Sequence, residues 1–209
     1  MRINLDRFIA KHLTTPAGFG GRVVSFFMNR QNRPLYEEAI RVMALANGEN
    51  ILDIGCGNGY VLNIIAKRYN GTFTGIDISE SIINAAKKRN EKYIANGTMT
   101  LACQDLRTMD FADSTFSKAY TINTVYFWDS LDSTMNEIKR VLKPGGIFIN
   151  TLYSNETLSR FSFTKHGYKR YTQEQLIKAG IDAGFEVEVV PILKENAFCY
   201  LYRKQGDSL

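Results

Sequence analysis

The chain has 209 residues, of which 44% are hydrophobic and 22% are charged, values typical of one globular α/β domain with a buried core. No apolar run has the length of a membrane span, and the charged N-terminus lacks the apolar core of a signal peptide. Three widely spaced cysteines and two histidines argue against a disulfide framework and a zinc site, so we expect a cytoplasmic protein without metal. The net charge of +5 permits nucleic-acid binding without demanding it.

Residues 1–48 are predicted to be helical and to form a lid outside the core. Apolar residues recur at helical spacing around Phe8, around Phe26 and over residues 35–45. Basic residues are in excess in this segment, and a second basic group lies within residues 160–170. Both groups fit a solvated surface or, alternatively, an entrance that attracts an anionic substrate.

Strand and helix signals alternate from residue 49 onward, which is typical of a parallel sheet covered by helices on both faces. The predicted helices begin after Gly59, at the N-cap Ser79 and at Leu131, and residues 143–146 stop the last of these. The predicted strands are residues 50–54, 72–77, 99–104, 116–123 and 147–152.

The C-terminal part adds a helix and two strands. Thr172 and Gln175 form a capping-box pattern ahead of a helix that ends near Gly184. Alternating residues from 185 to 189 and a last strand from 197 to about 203 then predict a hairpin. We therefore expect a single domain over residues 1–209, made of a lid (1–48), a core (49–152), a substrate-side insertion (153–171) and a C-terminal helix and hairpin (172–209).

A glycine loop is the most informative feature of the chain. A short apolar strand runs into three glycines at alternate positions, Gly55, Gly57 and Gly59. Glycine is used where φ must be positive or a ligand must touch the backbone, and the helix behind the loop offers N–H groups that favour an anion. The dinucleotide fingerprint needs glycine at Tyr60 and the Walker loop needs lysine and a hydroxyl, so neither is matched. Another nucleotide and a merely structural turn remain as alternatives.

The loop and Asp53 together read Asp-x-Gly-x-Gly-x-Gly, which resembles the glycine loop of class I S-adenosylmethionine-dependent methyltransferases. The resemblance is close over residues 50–152, where residues 143–146 also match the family, and it continues beyond them by strand order. It implies a doubly wound, seven-stranded, mostly parallel sheet of the Rossmann-like methyltransferase type, with an antiparallel last strand. It also implies S-adenosylmethionine as the cofactor and S-adenosylhomocysteine as its product.

The resemblance implies that the cofactor lies at the carboxyl ends of the first four strands. Asp77 is expected to accept both ribose hydroxyls, and its alternative role is a helix-terminal charge ahead of Ser79. Asp105 is expected to accept from the adenine amino group, or else is a common loop residue. Asp53 is expected to orient the glycine loop. The full expected cofactor set is Asp53, Gly55, Cys56, Gly57, Gly59, Tyr60, Asp77, Ile78, Gln104, Asp105, Leu106 and Asn123.

Aromatic residues after the fourth and fifth strands are predicted to shape the acceptor pocket, although the same residues fit an ordinary core. A catalytic base is needed only if the acceptor must first lose a proton. The candidates for it are Tyr126 and His166, and an incidental position is the alternative for the histidine. The expected substrate-side residues are Tyr126, Trp128, Tyr153 and Tyr36.

We expect in-line transfer of a methyl group to a small apolar or anionic molecule, as in the type 11, ubiquinone C-methylase-like group that the chain resembles. Enzymes of this fold that methylate adenine or glutamine amino groups carry Asn-Pro-Pro-Tyr after the fourth strand, and residues 123–126 here read Asn-Thr-Val-Tyr. Nucleic-acid and protein substrates are therefore disfavoured. The alternatives are a protein that binds the cofactor without turnover and a nicotinamide-dependent oxidoreductase. The acceptor atom and the oligomeric state are left open.

Overall fold

The computed structural model describes residues 29–165 and 167–206, so the first 28 residues of the expected lid and His166 lie outside the described residues. A central sheet contains the strands β1 (Glu49–Ile54), β2 (Gly71–Asp77), β3 (Met99–Cys103), β4 (Phe116–Ile122), β5 (Leu142–Tyr153), β6 (Phe185–Ile192) and β7 (Ala197–Lys204). The helices are α1 (Arg33–Met43), α2 (Tyr60–Arg68), α3 (Glu80–Arg89), α4 (Glu91–Ala95), α5 (Leu131–Val141), α6 (Asn155–Ser159) and α7 (Gln173–Asp182). Short 3₁₀ turns lie at Val125–Phe127 and Ser162–Lys165.

The sheet has seven strands in the order β3-β2-β1-β4-β5-β7-β6. Strands β1 to β5 pair in parallel with one another, whereas β7 pairs antiparallel with both β5 and β6. The fold class expected from the sequence is therefore confirmed, including the antiparallel last strand. The strand order reverses between β1 and β4, and in open α/β sheets this reversal creates the crevice in which ligands bind.

Both faces of the sheet are buried, which explains why β1 reads as a nearly continuous apolar run. Leu52 packs into a cluster with Met135 of α5 and Leu176 of α7. Ile51 points to the opposite face and packs with Leu35 of α1 and Leu62 of α2. Because side chains alternate along a strand, Asp53 lies on the same face as Ile51.

One helix boundary and the strand after it differ from the sequence prediction. Helix α5 ends at Val141, and Lys143–Gly146, predicted as a separate stop, belong to strand β5. There the β4–β5 register jumps from Phe116↔Leu142 to Lys118↔Ile147, so the extra residues bulge out, with Gly145 at φ +73°. The capping box of Thr172 and Gln175 is present in both directions, as predicted.

A buried asparagine ties the third helix to the glycine loop. Asn90, between α3 and α4, is 0% exposed, and its Nδ2 donates to the carbonyl oxygens of Gly59 (3.1 Å) and Ala86 (3.0 Å). Its Oδ1 accepts from Asn63 Nδ2 at 2.9 Å. The sequence analysis did not single out this residue, because the residues that it joins are 31 positions apart.

Replacing Asn90 with alanine is expected to lower the free energy of unfolding by about 2 kcal/mol, because buried groups lose their hydrogen-bond partners. Urea unfolding monitored by circular dichroism measures the loss. The matched control is Asn155→Ala, which removes an exposed amide that donates to the Tyr171 carbonyl, and it is expected to cost less than about 1 kcal/mol. Equal costs for the two variants would contradict the assigned role of Asn90.

Candidate functional site

A cavity of about 580 Å³ opens at the carboxyl ends of the central parallel strands. All residues of the expected cofactor set line it except Gly59, which lies behind the loop, and all four expected substrate-side residues line it as well. The volume lies within the range of small-molecule sites. The fold therefore brings these predicted residues together at one cavity, and the role of each residue in binding stays a prediction.

The glycine loop follows β1 and has a left-handed backbone at alternate residues. Gly55, Gly57 and Gly59 have φ values of +73°, +53° and +67°. A Cβ at Gly55 would lie 2.5 Å from Thr124 Cγ2, and one at Gly59 would lie 2.5 Å from Asn90 Nδ2. A Cβ at Gly57 would meet no protein atom within 4 Å, and this residue lines the cavity. The first and third glycines are thus required by packing, whereas the second leaves space on the ligand side.

Asp77 holds the loop from the end of β2. Its Oδ2 accepts from the Gly57 N–H at 3.1 Å, and its Oδ1 accepts from the Ser79 N–H at 3.0 Å. Burial raises the pKa of this carboxyl, while these backbone hydrogen bonds oppose the shift. Each oxygen keeps acceptor capacity toward the cavity, because a carboxylate oxygen has two lone pairs. Asp77 therefore accepts from the backbone just before α3, in keeping with its alternative role as a helix-terminal charge ahead of Ser79. It also lies at a position suited to accept from sugar hydroxyls.

Asp53 does not hold the loop in the way expected from the sequence. The Gly55 and Cys56 N–H groups donate to the Ile76 carbonyl, and the Gly57 N–H donates to Asp77. Asp53 Oδ2 instead accepts from Tyr120 OH at 2.7 Å, within the interior. The expectation that Asp53 orients the loop was therefore wrong, because the neighbouring strand presents its own acceptors to the loop amides.

Asp105 follows β3 and pairs with a residue that sequence reasoning missed. Arg107 donates from NH2 to Asp105 Oδ2 at 2.5 Å and from its backbone N–H to Oδ1 at 2.9 Å. The guanidinium also reaches Asp129 at 3.0 Å. Arg107 holds the pKa of Asp105 below its usual range. Arg107 Nε also donates to both carboxylate oxygens at 3.0 Å, so Asp105 would accept from a further donor by sharing or exchanging one of these hydrogen bonds.

Tyr126 is unsuited to act as the base proposed from the sequence. It is buried, its hydroxyl donates to Asn123 Oδ1 at 3.2 Å, and the same oxygen accepts from the Tyr153 N–H at 3.1 Å. Burial raises the pKa of Tyr126 well above its ordinary value. The hydroxyl therefore positions Asn123 and Tyr153, and Asn123 holds a left-handed φ of +58° at the end of β4.

The acceptor side of the cavity is aromatic and apolar. Tyr168 packs against Phe127 and Tyr126 with ring centroids 4.8 Å and 5.3 Å apart. Trp128 also lines the cavity but stacks on Phe148 in the core, so the ordinary-core alternative holds for much of its ring. Three residues of the insertion that the sequence analysis did not assign also line the cavity: Leu158, Phe161 and Tyr168. The feature of the sequence that could have indicated them was the aromatic content of the insertion.

Residues 29–36, part of the predicted lid, contact the glycine loop. Tyr36 is half-buried, and its ring lies 5.9 Å from that of Tyr60, while its hydroxyl donates to Asn29 Oδ1 at 3.4 Å. Asn29 Nδ2 in turn donates to Asn58 Oδ1 at 3.3 Å. On the other side, Tyr153 OH donates to Asn32 Oδ1 at 3.0 Å. Residues 29–36 therefore cover the cavity from loop to strand end.

Three basic residues of the insertion have partners within the protein: Arg160, Lys169 and Arg170. Arg160 pairs with Glu156 at 2.8 Å on the helix surface. Lys169 Nζ donates to the Trp128 carbonyl at 2.8 Å, and Arg170 donates to the Asn155 carbonyl at 3.0 Å. These cations therefore stabilise the insertion, which favours the surface interpretation over an entrance for anions.

The comparisons with known proteins agree with this geometry. Residues 51–146 match the family model described as a methyltransferase domain, and that segment contains the glycine loop and both candidate carboxylates. Over these residues the chain is similar to methyltransferases. None of the described helices combines the length and the hydropathy that a membrane span requires.

The similar curated proteins include several sterol methyltransferases. The chain is 28% identical over 174 residues to 24-methylenesterol C-methyltransferase 2 of Oryza sativa, a match that covers 76% of this chain and 47% of that protein. It is 41% identical over 111 residues to sterol 4-C-methyltransferase strm-1 of Caenorhabditis elegans, covering 51% and 32% respectively. The chain thus spans less than half the length of the curated relatives it matches.

Solved structures share the fold of this chain at low sequence identity. The Haloferax volcanii putative methyltransferase, solved in a complex with the Trm112 methyltransferase activator, superposes with a TM-score of 0.79 at 19% identity, covering 96% of this chain and 98% of that one. Geranyl diphosphate C-methyltransferase from Streptomyces coelicolor, solved with Mg²⁺, geranyl diphosphate and S-adenosyl-L-homocysteine, gives a TM-score of 0.70 at 13% identity, covering 85% and 80%.

Proposed function

We propose that this protein is an S-adenosylmethionine-dependent methyltransferase that acts on a small, apolar and uncharged molecule. The observation that carries the proposal is one cavity with two chemically different halves. One half has a left-handed glycine loop between carboxylates at the strand ends, and the other is walled by aromatic rings. A nucleoside with a charged tail suits the first half, and an apolar acceptor suits the second.

The residues present fit the cofactor group by group. Asp77 is proposed to accept from the two ribose hydroxyls, and Asp105 from the adenine amino group, with Ile78 and Leu106 as apolar walls. The N–H group of Tyr60, at the start of α2, is proposed to meet the methionine carboxylate, because a helix N-terminus favours an anion. The carbonyls of Gly55 and Asn123 would accept from the ammonium group. The open space at Gly57 lets a ligand approach the backbone closely.

The protein's contribution to catalysis is alignment and exclusion of water. The cofactor supplies an activated methyl group, so the chain need not generate a leaving group. The lid contacts of Tyr36 and Tyr153 hold the cavity closed beside the strand ends. Holding the reacting atoms in line removes on the order of 7–11 kcal/mol of barrier in favourable cases. Burial raises the pKa of Tyr126, Tyr153 and Tyr168 on the described acceptor wall, so these hydroxyls stay protonated at neutral pH.

We propose an apolar, uncharged acceptor because the acceptor side of the cavity is walled by aromatic rings. The basic residues Arg160, Lys169 and Arg170 of the insertion already pair with groups of the protein. The sterol methyltransferases among the relatives support an apolar acceptor. We further propose a single domain in which residues 1–48 form the lid, and a cytoplasmic setting, in keeping with the three free thiols.

A ligand panel and a turnover assay test the proposal. S-adenosylmethionine and S-adenosylhomocysteine are expected to raise the melting temperature, and NAD is expected to leave it unchanged. In the turnover assay, the protein is expected to transfer a labelled methyl group from S-adenosylmethionine to a neutral isoprenoid or sterol, but not to RNA or protein. Stabilisation by NAD alone would overturn the cofactor assignment. Stabilisation without turnover on any acceptor would instead favour the alternative of a non-catalytic binding protein.

A further inference from the structure

Two buried side chains of the cavity wall carry polar atoms without a hydrogen-bond partner. Trp128 is 3% exposed, Thr134 in α5 is 0% exposed, and both line the cavity. Among the described residues, no group forms a hydrogen bond with Trp128 Nε1 or with Thr134 Oγ1. Because both side chains are buried, they belong to the inner wall of the cavity and not to its mouth. None of the roles proposed above for the cofactor uses either group.

The surrounding contacts hold Trp128 in place. Its backbone N–H donates to the Val125 carbonyl at 3.1 Å, and its own carbonyl accepts from Lys169 Nζ at 2.8 Å and from Tyr171 OH at 3.3 Å. Its ring stacks on that of Phe148, with ring centroids 6.2 Å apart. The backbone and the ring are therefore both fixed, so the indole N–H has little freedom to turn toward another acceptor of the protein.

Thr134 also lacks the hydrogen bond that its position in a helix offers. A threonine hydroxyl within a helix commonly donates to the carbonyl three or four residues earlier. Thr134 Oγ1 has no such bond. Buried polar groups in folded proteins are nearly always paired, with protein atoms or with water. Two unpaired groups on the inner wall of one cavity therefore indicate that a ligand or a water molecule pairs with them.

The chemistry of the two groups suits an uncharged oxygen atom. An indole N–H only donates a hydrogen bond, whereas a threonine hydroxyl both donates and accepts. An alcohol complements this pair, because its oxygen accepts from the indole and its hydrogen can be donated to the threonine. A carboxylate or a phosphate would accept as well, but it would bring a full charge to a buried wall beside aromatic rings, which is costly without a counter-charge.

We propose that Trp128 and Thr134 form a subsite for a hydroxyl group of the acceptor, so that the substrate class is an apolar alcohol and not a plain hydrocarbon. This inference rests on the proposed function and names the substrate class of the same site. The aromatic wall holds the apolar body of the acceptor, and the two polar groups fix its oxygen and thereby its orientation. A site that hydrogen-bonds a substrate hydroxyl discriminates strongly against the analogue that lacks it.

Tryptophan fluorescence tests the proposal directly, because Trp128 is the only tryptophan of the chain. Geraniol and cholesterol are titrated into the full chain with S-adenosylhomocysteine bound, each beside the hydrocarbon of the same skeleton that lacks the hydroxyl. At least one alcohol is expected to shift the emission to longer wavelength, because a hydrogen bond to the indole N–H stabilises its polar excited state. That alcohol is expected to bind about tenfold more tightly than its hydrocarbon.

Replacing Thr134 with valine separates a hydroxyl that faces a ligand from one that holds the fold. Valine keeps the branched shape and removes an unpaired polar group, so the ligand-free variant is expected to melt at a higher temperature than the wild type and to lose preference for the alcohol. The matched control is Thr121→Val. Thr121 is equally buried at 0%, but its Oγ1 donates to the Ile54 carbonyl at 2.7 Å, so this control is expected to melt at a lower temperature.

The possible failures are distinguishable. If S-adenosylhomocysteine binds and both alcohols act like their hydrocarbons on the wild-type protein, the inference is overturned and a bound water remains as the partner of the two groups. A lower melting temperature of Thr134→Val than of the wild type, or an unchanged preference for the alcohol, would also overturn it. Absence of binding by both S-adenosylmethionine and S-adenosylhomocysteine would overturn the proposed function itself.

Discussion

Replacing Asp77 with alanine is expected to weaken the binding of S-adenosylmethionine by about 30- to 100-fold. The carboxylate is proposed to accept two ribose hydroxyls, and it also holds the Gly57 N–H at 3.1 Å. Its removal therefore takes away ligand contacts and loosens the loop that the ligand touches. Calorimetric or fluorescence titration of the folded variant measures the change in the dissociation constant.

Two variants control this experiment. Asp77→Asn keeps the shape of the side chain but replaces one acceptor oxygen with a donor, so an intermediate loss of affinity is expected. Asp182→Ala removes a carboxylate that pairs with Lys178 on the surface of α7 at 2.7 Å, and it is expected to leave affinity unchanged. An affinity for Asp77→Ala within twofold of the wild-type value would exclude the ribose assignment.

Replacing Gly55 with alanine is expected to lower mainly the stability of the protein, whereas replacing Gly57 with alanine is expected to lower mainly its affinity for the cofactor. At Gly55 the added methyl would lie 2.5 Å from Thr124 Cγ2 on a backbone with φ +73°, so we expect destabilisation of about 3 kcal/mol or more. At Gly57 no protein atom lies within 4 Å, so only the left-handed backbone is penalised, at about 1–2 kcal/mol. Because that methyl would occupy cavity space, Gly57→Ala is expected to lose cofactor affinity by more than about tenfold.

Urea unfolding and ligand titration on the same samples separate the two effects. Thr124→Ser removes the clashing methyl but keeps the hydroxyl that hydrogen-bonds with Thr121. Adding it to Gly55→Ala is therefore expected to restore part of the lost stability, and adding it to Gly57→Ala is expected to restore no affinity. Similar stability losses for Gly55→Ala and Gly57→Ala would contradict this division of roles.

The elements that the sequence predicted well depend on local chemistry. The three alternating glycines have left-handed backbones, and the Thr172–Gln175 pair forms a complete capping box. The terminal hairpin and the parallel core follow from alternating strand and helix patterns. In each case the deciding interaction lies within a few residues along the chain, so residue type and spacing alone carry the information.

The roles that the sequence predicted poorly depend on pairs that are far apart in the chain. Lys143–Gly146 bulge out of β5 where its register with β4 jumps, and no local pattern encodes that register. Arg107 was missed because an exposed arginine has no distinctive signal until the fold brings it beside Asp105 and Asp129 at the mouth of the cavity.

The sequence by itself thus determined the sheet, the glycine loop and the set of residues at the strand ends, because parallel strands place their carboxyl ends at one edge. Only the tertiary structure decided which of two aspartates holds the loop and which is left buried beside Tyr120. That choice depends on burial and on a hydrogen bond between residues 67 positions apart. Both aspartates end a strand, and the folded packing around each one decides whether it meets backbone amides or a phenol.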